Sequence, residues 1–115
     1  MEEQPRFLSA TSIVSDRVIN PAGEELGVIR DLMIDLEAGQ IAYAVLEGKD
    51  MEGKLFAIPW SMFRVDSERR CFVLRASRDL LDTAPGMDNE AWPTFTPSHD
   101  WLARIYEHYG SELYW

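Results

Sequence analysis

A change of rhythm at Ala76 limits what this chain can fold into more than any other feature. From about Ser15 to Ala76 the sequence is a series of short β-rich runs, each broken by turn residues, which is the spacing of an antiparallel barrel or sandwich. Beyond Ala76 it turns helical. Asp16 to Ile19 reads as a short strand, and Asn20-Pro21-Ala22-Gly23 places Pro and Gly as a type I turn wants them, so a hairpin is expected. In Leu26 to Leu36, residues Leu26, Val28, Leu32, Ile34 and Leu36 share one parity with Arg30 among them, and Ile29 and Met33 fall on the other. A bulge near Arg30 and Asp31 accounts for the break. Glu37-Ala38-Gly39-Gln40 turns the chain into Ile41 to Leu46, apolar on both parities, so both faces of that strand are expected to be covered. Leu55 to Trp60 alternates, with Pro59 marking an edge or bulge, and Cys71 to Ala76 is the last strand.

Ser77 is the expected N-cap of a short helix, with Asp79 in its first turn and Pro85-Gly86 stopping it. The final helix, from Pro97 or Ser98 to Tyr109, carries Trp101, Leu102, Ile105, Tyr106 and Tyr109 as one apolar stripe, and Gly110 is its stop signal. Trp92, Phe95, Trp101, Tyr106, Tyr109, Tyr114 and Trp115 gather more than half of the aromatic residues after position 90, so this segment must pack on something.

With 115 residues, the chain fits one compact domain. Its 11 Lys and Arg against 20 Asp and Glu give a formal net charge of −9, which argues against general nucleic-acid binding and anionic membranes, because phosphate neutralisation needs a basic surface. The single cysteine cannot form an intramolecular bridge; it fits a reducing compartment, and the cytoplasm is the expected location. Met1-Glu2-Glu3-Gln4-Pro5 lacks the basic and apolar regions of a signal peptide, and no apolar run approaches the roughly 18 residues of a membrane span. The expectation is a soluble, unexported protein.

Candidate chemistry is sparse. Cys71 lacks a spacing that pairs it with His99 or His108 and reads as a buried, inert thiol. His99, Asp100 and His108 do not have the i, i+4 placement of helical metal-ligating histidines. Asp31, Asp35 and Glu37 alternate along one strand, either to gather a hard cation or as an ordinary solvated face. Arg64, Arg69, Arg70, Arg75 and Arg78 surround the last hairpin with only Asp66 and Glu68 opposing them. They form a candidate basic patch for an acidic partner or a small anion or metabolite, unless the acidic tail neutralises them internally. Trp101, Tyr106, Tyr109, Tyr114 and Trp115 are the candidate interface, since exposed Trp and Tyr anchor protein contacts; core packing of Trp101, Ile105 and Tyr109 is the competing expectation. Leu113-Tyr114-Trp115, beyond Gly110, fits a contact with a second subunit.

The ordered series Leu8-Ser9-Ala10-Thr11-Ser12-Ile13, Asn20-Pro21-Ala22-Gly23-Glu24, Leu26-Gly27-Val28-Ile29, Asp31-Leu32-Met33-Ile34-Asp35, Gly39-Gln40-Ile41-Ala42-Tyr43-Ala44-Val45 and Leu55-Phe56-Ala57-Ile58-Pro59-Trp60 resembles the PRC-barrel domain. Ala84-Pro85-Gly86-Met87-Asp88 and Glu90-Ala91-Trp92-Pro93 resemble the extension of stand-alone bacterial members, some of them stress-linked. The resemblance implies a mainly β fold: a small antiparallel PRC-type barrel over residues 1–77, with residues 1–7 flexible, and a helical C-terminal extension over 78–115 packed on it as one unit. It is the family of the reaction-centre H subunit's cytoplasmic domain and of the C-terminal domain of the ribosome-maturation factor RimM. The function it implies is therefore that of a non-enzymatic docking module for protein partners, without cofactor or metal and expected to form a homodimer. Ser15 stands where the family often has Gly, and the Glu47 to Lys54 connection is shorter than the Gly-rich loop common among stand-alone members.

Overall fold

A computed structural model describes residues 7–84, 86–87 and 98–115. The expectations for residues 1–6, Pro85, Trp92 and Phe95 lie outside these. A one-turn helix, α1 (Ala10–Ile13), leads into β1 (Arg17–Ile19), β2 (Glu25–Asp35), β3 (Gln40–Gly48) and β4 (Leu55–Pro59). A 3-10 turn at Trp60–Met62 then delivers β5 (Phe63–Asp66) and β6 (Cys71–Leu74), followed by α2 (Arg78–Asp82), β7 (Gly86–Met87) and α3 (His99–His108).

The strands form one sheet in the order β5-β6-β1-β2-β3-β4-β7. Six of them make a sheet curled into a half-barrel, and the two-residue β7 adds to β4 at Leu55 and Phe56. The fold is mainly β with a C-terminal helix, and among the described residues its one departure from an antiparallel arrangement is the pair β1 and β6, which run parallel through Val18 opposite Phe72 and Ile19 opposite Val73. The chain can make this pair because the whole β2–β5 excursion separates the two strands, and a parallel pair needs a long crossover.

The β1–β2 turn is set by Asn20. Its carbonyl accepts from Gly23 N at 2.9 Å, its Oδ1 accepts from Glu24 N, and its Nδ2 donates to Glu24 Oε1, so this buried amide is satisfied. The β2–β3 register carries Arg30 as an extra residue between Ile29, opposite Leu46, and Asp31, opposite Val45, which is the expected bulge. A second irregularity leaves Ala42 unpaired between Ile41 and Tyr43.

Ala42 to Leu46 are all buried, as a strand covered on both faces must be. Leu26, Ile29, Phe56, Ile58 and Leu74 pack with them, and Leu102, Ile105, Tyr106 and Tyr109 of the α3 segment join the same cluster. Full burial of each large side chain contributes about 1.5–3 kcal/mol relative to exposure. The helix is therefore a structural part of the core.

Candidate functional site

α3 begins where Ser98 Oγ accepts from Trp101 N at 3.1 Å, with Asp100 in the first turn facing the positive end of the helix dipole. It ends at Tyr109 and Gly110, whose φ of +68° suits glycine, with Gly110 N donating to Glu107 O and Ser111 N to Tyr106 O. This stop sends residues 111–115 back along the sheet. There Tyr114 Oη donates to Asp35 Oδ2 at 2.7 Å, joining the end of the chain to the end of β2.

The five aromatic candidates separate into two groups. Tyr106 and Tyr109 are buried in the core, so they are not contact residues of the folded chain; the helical stripe turns them onto β3 and β4. Trp101 is half-buried and meets Tyr43 edge to face at 5.9 Å between ring centroids. Tyr114 is half-buried and Trp115 is 45% exposed, stacked on His99 at 5.4 Å. Of the five, Trp115 leaves the most aromatic surface open.

Asp35 is the hub of this seam. Its Oδ1 accepts from Glu37 N and Ala38 N, both at 3.0 Å, which shapes the β2–β3 turn. The Tyr114 hydroxyl and these amides hold its carboxyl below the ordinary value, while burial and the neighbouring carboxylate push the Tyr114 phenol up. Around the bond, Ile34 is 57% exposed, Leu36 90%, and Leu113 46%. Strand parity alone groups Ile34 and Leu36 with inward residues, but the bulge at Arg30 resets the alternation and the hairpin end projects past the core. These two residues are the part of the seam that sequence periodicity concealed; the Asx-type turn signal at Asp35 was the available clue.

The basic residues are not brought into one patch. Arg69 Nε lies 3.7 Å from Asp66, and Arg70 occupies the β5–β6 turn at φ +54°. Arg75 stands beyond the other end of β6, about 16 Å away along an extended strand, in a cleft of about 440 Å³ with Asn20, Pro21, Ala22, Ala76 and Ser77. Arg78 is directed elsewhere, donating to Lys49 O at 2.8 Å and meeting Asp82 at 3.7 Å. Arg64 is exposed on β5. A larger cleft of about 450 Å³ lies over the facing pair Gly27 and Gly48. On its rim Lys49 bonds to Glu25 at 2.9 Å and holds that carboxyl below its usual value.

Cys71 is buried and desolvation pushes its thiol up, the reverse of what a nucleophile needs. His99 stacks on Trp115, while His108 Nε2 lies 2.8 Å from Leu80 O. Asp31 Oδ1 accepts from Leu32 N. Among the described residues no three His, Cys, Asp or Glu side chains come together as a metal-binding group, and no helix is long and apolar enough to cross a membrane.

The family model of the PRC-barrel domain matches residues 5–81. No curated protein matches the chain.

Proposed function

The chain belongs to the PRC-barrel family, and from that premise we propose that it works as a non-enzymatic module for protein contact or assembly, with its docking face at the tail. Domains of this family are generally non-catalytic binding or assembly modules. The observation that carries the reading is the seam at Asp35: the tail is pinned at Tyr114 while Leu113 and Trp115 stay half open to solvent. A tail that served packing alone would turn these side chains inward. The reading includes a soluble, cytoplasmic setting and a stress-linked role as family-level proposals, with self-association among the modes of assembly. Binding of a small anion or metabolite by the arginines is less favoured, because Arg70, Arg75 and Arg78 stand apart and Arg78 is already engaged.

The test compares the intact chain with a Leu113→Ser, Trp115→Ser variant, shown to be folded by circular dichroism, in quantitative co-purification and in sedimentation. A stoichiometric assembly formed by the intact chain and lost in the variant supports the proposal. An intact chain that remains alone in both measurements overturns it.

A further inference from the structure

We propose that the chain forms a two-fold dimer by pairing β5 with β5 of a second copy, edge to edge and antiparallel, about an axis through Val65. The proposal rests on the assembly reading in taking the chain as a contact module, and goes beyond it in the surface used. β5 is separated from β2, where the tail is pinned, by β6 and β1.

Among the described residues β5 pairs with β6 alone and ends the sheet, whereas β4 at the other end is extended by β7. One hydrogen bond fixes where the backbone groups of β5 point. Arg75 N donates to Met62 O at 3.1 Å, while Phe63 faces Leu74 and Val65 faces Phe72. This is the pattern of a non-hydrogen-bonded pair, so Arg64 and Asp66 direct their backbone groups to β6, and Phe63 and Val65 direct theirs away from it. The Phe63 N–H is taken by Trp60 O. Val65 keeps its N–H and its carbonyl at the open edge, and such an edge is a template for another strand.

The side chains select the occupant. Strand alternation puts Arg64 and Asp66 together on the face opposite Phe63 and Val65. Arg64 is exposed and takes part in none of the ion pairs among the described residues. Asp66 Oδ1 accepts from Arg69 N, which leaves a carboxylate further acceptor capacity. An axis through Val65 lets the two Val65 residues exchange N–H···O bonds and sets Arg64 opposite the second copy's Asp66, once on each side of the axis. An axis through Arg64 or Asp66 would instead set that charge against its own copy, and one through Phe63 would need the N–H that Trp60 O holds. On the other face the half-buried Val65, which packs against the core, meets its own copy. The edge is thus complementary to itself, as an isologous contact requires. Two four-residue strands make a small contact, so the dimer is weak and reversible.

Sedimentation equilibrium tests this. The intact chain is expected to show a monomer–dimer equilibrium at concentrations up to about 1 mM, the weak end of specific association. Arg64→Glu and Asp66→Arg each place like charges across the axis twice, so each alone should weaken the dimer by about tenfold or more. An equimolar mixture of the two variants should associate again, because a dimer of one with the other has opposite charges at both positions. Val65→Pro removes the N–H that crosses the axis and none that β6 uses, and should leave a monomer. Circular dichroism verifies that each variant is folded. A chain that stays monomeric, a dimer unchanged by either charge reversal, or a mixture that fails to associate overturns the inference. The Leu113→Ser, Trp115→Ser variant separates it from the tail contact: it should dimerise like the parent. A dimer lost in that variant and kept in the β5 variants overturns the β5 contact and leaves the tail face standing. If the chain is monomeric throughout, the tail face stands or falls on co-purification alone.

Discussion

Tyr106 donates its hydroxyl to the carbonyl of Ala42 at 2.5 Å, and Ala42 is the one residue of β3 that has no partner on β2. The bulge takes that carbonyl out of the ladder, and the helix supplies the donor the sheet cannot. A buried backbone acceptor without a partner is costly, so bulge and helix are coupled across 64 residues of sequence. Tyr106→Phe keeps the ring in the core but strands the Ala42 oxygen. It is expected to lower stability by about 1–3 kcal/mol, read as a lower urea midpoint at unchanged slope. An unchanged midpoint would mean the carbonyl finds another donor.

Alkaline stability follows from the same helix. Burial pushes the Tyr106 phenol up to about 12 and raises those of Tyr109 and Tyr114 as well. Above pH 10 the unfolded chain releases phenolic protons that the folded chain retains. The folded state then binds more protons, so stability falls as pH rises. It should hold constant up to about pH 10, the ordinary tyrosine value, and decline as pH climbs toward 12. Urea midpoints from pH 8 to 12 measure this, and a midpoint that did not move above pH 10 would contradict the buried placement.

What the sequence disclosed, and what it hid, divides by distance along the chain. The Asn20–Gly23 turn, the bulge at Arg30, the cap at Ser77 and the stop at Gly110 are all found as expected, because each is settled by neighbours within a few residues. The double coverage of β3 was legible too, since apolar residues on both parities allow no other outcome. The parallel pairing of β1 with β6 was not, because no local pattern encodes which distant strand lies alongside. Nor was the sorting of the aromatics: Tyr106 and Trp115 are equally suited to core or interface, and only the path of the chain after Gly110 decides. Asp35 read as one of three alternating carboxylates, for a hard cation or on an ordinary solvated face, and its partner is a hydroxyl 79 residues away. The arginines are neighbours in sequence, but Arg70 precedes β6 and Arg75 follows it, and Arg78 is engaged by Lys49 O and Asp82.

Ser15 holds a left-handed conformation at φ +79° while its N–H donates to Ile29 O at 2.7 Å, at the position where the family often has glycine. A non-glycine residue there costs roughly 1–2 kcal/mol, partly offset by the unfolded-state entropy that glycine adds. Ser15→Gly is therefore expected to match or exceed the parent stability by up to about 1 kcal/mol, whereas Ser15→Val, branched at Cβ, should lose about 1–2 kcal/mol. Thermal melts of the three proteins check the order, and a Ser15→Gly variant less stable than the valine one would refute it.

The pin between Tyr114 and Asp35 predicts an acid-sensitive tail. The Asp35 carboxyl is lowered in the folded chain, first by the Tyr114 hydroxyl and next by the Ala38 amide. A depressed folded value means the contribution is complete above the unfolded value, about 3.9, and is lost as pH falls through the lower folded one. Tail docking should thus persist at pH 5 and weaken below about pH 4. Trp115, stacked on His99 and in ring contact with Tyr106 and Tyr114, reports it. Its emission, isolated as the difference between the parent and Trp115→Phe, should shift toward that of a solvated indole as the pin breaks. Tyr114→Phe removes the donor and keeps the ring, so it uncouples the tail from Asp35 and should abolish the acid transition of Trp115 emission. A transition that persists at the same pH in Tyr114→Phe would show that the Asp35 bond is not what makes the tail acid-sensitive.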